Sequence, residues 1–192
     1  MADLLSRHRI GLMCQPASNP PKAGWLWAAD NGCFSPGWDE DKWERWLERD
    51  MPRSGCLFAV VPDVVADAFA TIDRFDEYVG IVRDLRYPVA FVAQDGLLPG
   101  DAPYGEFDCL FIGGSTEWKI SEVAHEIARE ARSLGKWVHV GRVNSAARYK
   151  AWAADADSCD GTYLAFGPKS NLPKLVRWLD NHEREPQLWG AA

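Results

Sequence analysis

The chain lacks the features that mark membrane, secreted or metal-dependent proteins. No window approaches about 18 uninterrupted apolar residues, so no membrane-spanning helix is predicted, and the first residues lack the apolar run of a signal peptide. The five cysteines are scattered and never spaced as Cys-x-x-Cys, and the four histidines lie far apart. This pattern favours reduced thiols in a cytoplasmic protein and argues against a zinc site, so we expect no metal and no cofactor.

Positive charge is also scarce. The 21 lysines and arginines face 28 aspartates and glutamates, which gives a formal net charge of −7. Because cationic side chains dominate nucleic-acid binding, the charge balance argues against a broad basic footprint, while a local basic stripe stays open. The chain also has no Gly-x-Ser-x-Gly elbow and no Walker loop, which removes the enzyme classes that depend on those two motifs.

What the sequence does contain is a regular alternation of short apolar runs and amphipathic stretches. With 47% apolar residues, residues 1–192 are predicted to form a single domain with a full core. The runs lack in/out alternation, which is typical of parallel strands covered by helices. Seven β/α-like units favour an α/β fold of the compact (β/α) TIM-barrel type over a doubly wound sheet. The barrel would have seven or eight parallel strands, and with seven it would be incomplete. The predicted strands are residues 10–14, 25–29, 56–61, 89–93, 109–112, 137–140 and 158–160, and the predicted helices are residues 39–50, 69–82, 120–131, 145–154 and 171–182.

Polar side chains and glycines collect where these strands end. Since sites of parallel α/β folds form at the carboxyl ends of strands, we expect these residues to share one mouth. Carboxylates and carboxamides match the edge of a nucleobase, and a carboxylate beneath an anomeric carbon can trap an oxocarbenium ion. Composition alone does not choose this chemistry over a sugar-acid lyase. The strand-end residues are Asp30, Asp63, Gln94, Asp95, Gly113, Gly114, Arg142, Asn144 and Asp160.

Each of these positions also has a plain structural interpretation. Segment 30–32 is an ordinary turn signal, and Asp63 could cap the next helix. Asp160 lies at the wrong end of its strand if that strand covers residues 162–166 instead. Arg142 could bind a phosphate at a helix start or be an exposed polar residue. Likewise, segments 94–96 and 113–114 could be ordinary turns, and His139 could be a core histidine.

The strand-end motifs, taken in order, resemble those of one known family. They are Asp30-Asn31-Gly32-Cys33-Phe34, Val61-Pro62-Asp63, Val92-Ala93-Gln94-Asp95-Gly96, Ile112-Gly113-Gly114, Val140-Gly141 and Asp157-Ser158-Cys159-Asp160. They are similar to the strand ends of the tRNA-guanine transglycosylase superfamily. The closest likeness is to its phage and bacterial branch, which inserts 7-deazaguanine bases into DNA. The likeness covers residues 10–167, almost the whole chain.

The resemblance implies a nucleobase transglycosylase-like enzyme, a pentosyltransferase or N-glycosidase. It would cleave or exchange the N-glycosidic bond of a purine or 7-deazapurine, with Asp160 as covalent nucleophile and Asp30 as general acid/base. Phe34 would stack on one face of the base, with Val140 below. The other substrate-binding positions it implies are Asn31, Asp63, Gln94, Gly113, Gly114 and Arg142.

The chain also departs from this family. Asn31 stands where the family has serine, Cys33 stands where it has a second glycine, and the zinc subdomain and basic surface of the tRNA enzymes are missing. The expected partner is therefore a flipped base in DNA, or a nucleoside or nucleotide, rather than tRNA or a membrane, and a homodimer stays open. One alternative is a catalytically inactive base- or nucleotide-binding barrel that sequesters a small molecule or docks a partner. Another is a barrel lyase or aldolase, against which the lack of a strand-end lysine weighs.

Overall fold

Seven parallel strands form one curled sheet in the computed structural model, which describes residue 8, residues 10–16 and residues 18–184. The strands follow each other in chain order, and every neighbouring pair is parallel. A doubly wound sheet would reverse its strand order at a switch point, and this sheet does not. The fold is an incomplete (β/α) barrel. Its strands are Leu12–Cys14 (β1), Trp27–Ala29 (β2), Cys56–Val60 (β3), Val89–Ala93 (β4), Cys109–Ile112 (β5), Trp137–Val140 (β6) and Ser158–Cys159 (β7).

Helices separate most of the strands and begin at polar caps. The side chains of Asp39, Asp67, Ser115, Ser121 and Ser145 each accept the backbone N–H three residues later, which satisfies a donor that the first helical turn leaves free. None of the helices within the described residues has the length and apolarity needed to cross a membrane. The helices are Glu40–Arg45 (α1, extended by a π-helical turn over Trp46–Asp50), Ala68–Asp84 (α2), Thr116–Lys119 (α3), Glu122–Ser133 (α4), Ala146–Trp152 (α5) and Pro168–Arg184 (α6).

The side chains of the strands divide between a helix-side core and a smaller inner cluster. This division follows from the alternation of side chains along each strand. The inner cluster lies on the concave face of the sheet and consists of Ala28, Phe58, Val60, Ala90, Val92 and Cys109. The helix-side core includes the predicted inward residues of the first helix, Trp43, Trp46 and Leu47.

Two apolar residues that the helical spacing placed inward are instead exposed. Phe69 is 67% exposed in the first turn of α2, and Ile120 is 55% exposed. Ile120 lies between α3 and α4, because the Ser121 cap starts a new helix where the sequence predicts a continuous one. The inward face of α4 therefore begins after this break, and Ile127 and Ala131 on it are fully buried.

The barrel is open between its two edge strands. Within the described residues β1 pairs only with β2 and β7 only with β6. A cavity of about 460 Å³ lies between them, lined by β1, β7 and helices α5 and α6. Residues 162–166, the alternative last strand, form turns. Since β7 ends at Cys159, Asp160 lies at its carboxyl end.

Candidate functional site

The sequence-predicted residues gather at the mouth formed by the carboxyl ends of the strands. Because all strands run parallel, the residues that follow them share one end of the sheet. Asp30, Gln94, Gly113 and Asp160 each follow directly on a strand. The mouth also holds Asn31, Phe34, Asp63, Gly114 and Arg142, which lie within a few residues of the strand ends.

Three of the predicted base-reading side chains form one buried network. Asp63 is 7% exposed, and its two carboxylate oxygens accept hydrogen bonds from Asn31 Nδ2 (2.7 Å) and from Gln94 Nε2 (2.5 Å). Asn31 Nδ2 also donates to the carbonyl of Val61 at 2.9 Å. Burial raises the pKa of Asp63, while the hydrogen bonds from Asn31 and Gln94 act to lower it. Asp63 therefore joins two strand ends and does not cap helix α2.

The network continues to the glycine pair. Gln94 Oε1 accepts the backbone N–H groups of Gly114 (2.8 Å) and Ala66 (3.0 Å). Its amide is thus paired at both ends, and the Gly114 N–H that the resemblance aims at a base carbonyl donates to Gln94. A base that forms hydrogen bonds with the Gln94 amide or the Gly114 N–H has to break at least one of these existing hydrogen bonds.

The glycine pair is needed for close packing. A Cβ on Gly113 would lie 2.7 Å from Val92 Cγ1. Gly114 has φ of +72°, and its Cβ would lie 2.6 Å from the Trp118 ring and 2.7 Å from Asp95 Oδ2. The turn at the end of β5 therefore requires glycine for backbone reasons, whatever its role in binding.

Asp160 is held as a carboxylate by three neighbours. Its Oδ2 lies 3.1 Å from His139 Nε2, and its Oδ1 accepts the backbone N–H of Arg142 at 3.1 Å. Burial raises the pKa of Asp160, but His139, the Arg142 N–H and the charge of Lys119 outweigh burial and lower it below the ordinary value. Asp160 is therefore ionised at neutral pH.

Asp30, directly after β2, lies in an environment that raises the pKa of its carboxyl group, in contrast to that of Asp160. Its Oδ1 accepts the N–H of Gly32 at 3.0 Å, which is the turn that segment 30–32 predicts. Burial raises the pKa of Asp30, and the negative charges of Asp160 and Asp63 raise it further against the Gly32 hydrogen bond and His139. The two carboxyl groups thus interact electrostatically, and their pKa values are shifted in opposite directions.

His139 is both a core residue and a partner of Asp160. The residue is 4% exposed, and its ring packs against Phe58 and Phe111 on the concave face of the sheet. Ser158 Oγ accepts the indole N–H of Trp137 and lies 2.8 Å from His139 Nδ1. Because an ionised Asp160 can only accept hydrogen bonds, His139 Nε2 carries a proton that faces it.

Sequence reasoning predicts the burial of His139 but not its contact with Asp160. The position of His139 on β6 could have indicated this contact, because His139 pairs with Ser158 on the neighbouring strand β7, two residues before Asp160. Val140, the next residue along β6, lies on the opposite face in the helix-side core and is fully buried. The structure therefore does not bring the Val140 side chain beneath a bound base, and His139 occupies the inner face instead.

Phe34 and Arg142 form an aromatic–cation pair across the mouth. Phe34 is 69% exposed, and the Arg142 guanidinium lies 4.9 Å from the centre of its ring. Arg142 Nη2 also donates to the carbonyl of Gly114 at 2.5 Å. Arg142 covers one face of the Phe34 ring. A base that stacks on this face would have to displace the guanidinium group.

Lys119 and Cys33 also lie at the mouth, and the sequence predicts a site role for neither. Lys119 on α3 is 5% exposed and donates to the carbonyl of Gly141 at 2.6 Å, so a lysine does reach a strand end, contrary to the sequence-based expectation. Burial, and then the charge of Arg142, lowers the pKa of Lys119 to about 8. Burial raises the pKa of Cys33 to about 12, which keeps this thiol neutral and unreactive.

Among the described residues no three histidine, cysteine or acidic side chains are grouped so that they could hold a metal ion. The acids of the mouth are engaged elsewhere: Asp63 binds two amides, and Asp95 accepts the N–H and hydroxyl of Ser115. The polar groups of the mouth are carboxyl, amide, imidazole and guanidinium groups and the ammonium group of Lys119.

Comparisons with known proteins give information on the fold alone. No family model and no curated protein matches the chain. A structure of tryptophan synthase from M. tuberculosis, in its aminoacrylate- and BRD0059-bound form, is similar with 18% identity and a TM-score of 0.50, which supports an incomplete TIM-type barrel. A ligand-free form of the same enzyme, with a point mutation in TrpA, matches at 18% identity and a TM-score of 0.49. Both alignments cover 83% of this chain and 61% of the matched chain.

Proposed function

We propose that the protein is a nucleobase transglycosylase-like enzyme, a pentosyltransferase that acts on a purine or 7-deazapurine in DNA or in a nucleoside or nucleotide. Asp160 would be the nucleophile and Asp30 the general acid/base. The order of the strand-end motifs suggests this reaction class, and hydrolysis of the same bond by an N-glycosidase is its closest variant. The proposal rests on the chemistry of the mouth, since the comparisons concern only the fold.

One observation carries the proposal: two carboxyl groups of one mouth have pKa values shifted apart. The pKa of Asp160 lies below its ordinary value and that of Asp30 above it. Two carboxyl groups with opposed environments are the usual arrangement for one nucleophile and one acid in glycosyl transfer. The lowered pKa of Asp160 suits the nucleophile and the raised pKa of Asp30 suits the acid, so neither role needs a further group.

In the first step Asp160 forms a bond to the anomeric carbon as the bond from that carbon to the base nitrogen breaks. The leaving nitrogen takes the proton of Asp30, so the base departs neutral and Asp30 becomes a carboxylate. The His139 Nε2–H and the Arg142 N–H hold the nucleophile in place. Each carboxylate oxygen has a second lone pair, so Asp160 can attack while it keeps both hydrogen bonds.

In the second step an incoming base replaces Asp160 at the anomeric carbon. The Asp30 carboxylate takes the proton from the incoming base nitrogen, and the bond from Asp160 to the sugar breaks as the new N-glycosidic bond forms. Both carboxyl groups return to their starting states, so the cycle needs no cofactor. If water attacks instead, the anomeric carbon gains a hydroxyl group, which leaves an abasic site in DNA, and the enzyme is a hydrolase.

Base exchange tests the proposal directly. The protein would be incubated with a guanine- or 7-deazaguanine-containing DNA strand, nucleoside or nucleotide, together with an isotopically labelled free base, and incorporation of label measured. We expect incorporation that Asp160→Asn and Asp30→Asn each reduce by at least about 100-fold. Asp73→Asn, which removes the same charge from an exposed helical position, should leave incorporation unchanged. Absence of both exchange and hydrolysis with every substrate contradicts the proposal.

The hydrogen-bond network favours one second candidate, a barrel that binds a base or nucleotide without turnover. Asn31, Asp63, Gln94 and the Gly114 N–H already satisfy each other, so the base-reading edge is closed in this structure. Binding of the labelled base without exchange or hydrolysis would identify this candidate. The two candidates differ in chemistry at Asp160 and share the same mouth.

We also propose a reducing compartment, the cytoplasm, as the place of action. The five cysteines are all free thiols, and two of them, Cys14 and Cys109, are buried on separate strands. Unpaired thiols persist where glutathione and thioredoxin keep them reduced. Counting free thiols in the protein purified without reductant tests this, and disulfide-linked cysteines in the native protein would contradict it.

A further inference from the structure

Three cationic side chains cluster beside Asp160 around the chain segment that follows β6. Lys119 Nζ donates to the carbonyl of Gly141 (2.6 Å), and Arg148 Nη1 lies 3.4 Å from the carbonyl of Arg142. Arg142 itself reaches the carbonyl of Gly114. The three side chains come from α3, from the loop after β6 and from α5, so the fold, not local sequence, brings them together.

None of these three cations forms an ion pair with a carboxylate of the described residues. Their hydrogen-bond acceptors are backbone carbonyl groups, which carry no net charge. Elsewhere in the chain arginines such as Arg83 and Arg129 pair with glutamates. Arg53 and Lys136 also bind only carbonyl groups, so the distinguishing feature of this cluster is that its three cations lie close enough to repel one another, which a bound anion would offset.

The burial of Lys119 strengthens this point. An ammonium group has three N–H donors, and at 5% exposure Lys119 has one hydrogen-bond acceptor among the described residues, the Gly141 carbonyl. The acids that influence it electrostatically are Asp160, which is held by His139 and Arg142, and Asp95, which is held by Ser115. Burying a charge without a counter-ion is costly, so an anion bound nearby would stabilise this arrangement.

We propose that Lys119, Arg142 and Arg148 form an anion site for the phosphate group of the sugar that Asp160 attacks. Arg142 and Arg148 supply N–H donors to the phosphate oxygens, and Lys119 supplies positive charge beneath them. The backbone of Arg142 binds Asp160 while its side chain belongs to the cluster, so the nucleophile and the anion site adjoin. The inference rests on the proposed function and narrows its substrate class to nucleotides or DNA strands, excluding phosphate-free nucleosides.

Matched pairs of probes test the site. Titration calorimetry would compare deoxyguanosine 5′-monophosphate with deoxyguanosine, and the trinucleotide d(TGT) with its uncharged methylphosphonate analogue. We expect the phosphate-bearing member of at least one pair to bind about tenfold more tightly. Arg148→Gln and Lys119→Met should each remove most of that difference. The control Arg83→Gln, which removes an arginine paired with Glu106 outside the mouth, should change no affinity by more than about twofold.

The outcomes separate the two proposals. A preference for the monophosphate alone assigns the site to free nucleotides, and a preference for the trinucleotide alone assigns it to a DNA strand. Equal affinity within both pairs, no binding of any probe, or a preference that both variants retain overturns the anion site. Base exchange without a phosphate preference defeats the anion site only, whereas phosphate-dependent binding without exchange, hydrolysis or adduct defeats the transglycosylase proposal only.

Discussion

Among single residues, Asp30 and Asp160 matter most, because their neighbours set the charge of each carboxyl group. The identity of both residues can be read from the sequence, since Asp30 follows a predicted strand and Asp160 is the last residue of another. Their opposite pKa shifts cannot, because they arise from burial, from His139 on a strand distant in sequence, and from each other. The same is true of Lys119, whose position on α3 does not reveal that its Nζ reaches β6.

Replacing Asp30 with asparagine should stabilise the protein while it abolishes exchange. The pKa of Asp30 is raised in the fold, so its ionisation opposes folding at neutral pH, and asparagine keeps an Oδ1 acceptor for Gly32. We expect Asp30→Asn to increase the free energy of unfolding by about 1 kcal/mol in urea titrations at pH 7. The gain should shrink as the pH falls toward the ordinary value of 3.8. A loss of stability at pH 7 would contradict the assigned shift.

The pH dependence of the reaction should follow both carboxyl groups. Asp160 must be ionised and Asp30 protonated, so the rate of the first step should rise with pH through the lowered pKa of Asp160 and fall through the raised pKa of Asp30. His139→Phe removes a group that lowers both pKa values, so both limbs of the profile should move to higher pH. A variant damaged only in its packing would instead lose rate equally at every pH.

At the scale of elements, the pattern of apolar runs predicts the strands well, but not which face each side chain occupies. All seven predicted strands are present, and their order at the sheet follows the chain. The resemblance places Val140 in the mouth, yet it lies in the helix-side core, because a strand buried on both faces carries no alternation that would distinguish them. The helix predicted over 120–131 is broken for a local reason, the Ser121 cap.

Two glycine-to-alanine substitutions test whether the turn after β5 requires glycine more than an ordinary helical position does. Gly114→Ala places a Cβ 2.6 Å from the Trp118 ring at a φ of +72°, and should lower the free energy of unfolding by about 2 kcal/mol. Gly80→Ala, within α2 and with open space around its Cβ, should raise it by about 0.5 to 1 kcal/mol. Urea denaturation of both variants measures this, and equal effects would show that the turn is not constrained.

At the scale of the whole molecule, the chain is a barrel left open on one side. The count of seven strands can be made from the sequence, whereas the position of the opening cannot. It lies where β1 and β7, among the described residues, do not pair with each other across a cavity of about 460 Å³. The mouth nevertheless contains all of the predicted strand-end residues, from Asp30 after β2 to Asp160 after β7. Asp160, directly after the edge strand β7, is held in place by His139 of the neighbouring strand.

The opening predicts a gradient of stability across the sheet. Amide hydrogens of β1 and β7 should exchange with solvent faster than those of the central strands β4 and β5, because edge strands lose their ladder hydrogen bonds in smaller local openings. Native-state hydrogen exchange followed by mass spectrometry measures this gradient. Equal protection of edge and central strands would show that the barrel is closed in solution.

The most direct test of the account is to look for the covalent intermediate on Asp160. The protein would be mixed with a guanine-containing nucleotide or DNA strand in the absence of incoming base, quenched with acid, digested and mapped by mass spectrometry. The account predicts a pentosyl-derived adduct on the peptide that carries Asp160, absent in Asp160→Asn and retained in Asp73→Asn. Base release with no adduct at Asp160, or with an adduct on another residue, would contradict it.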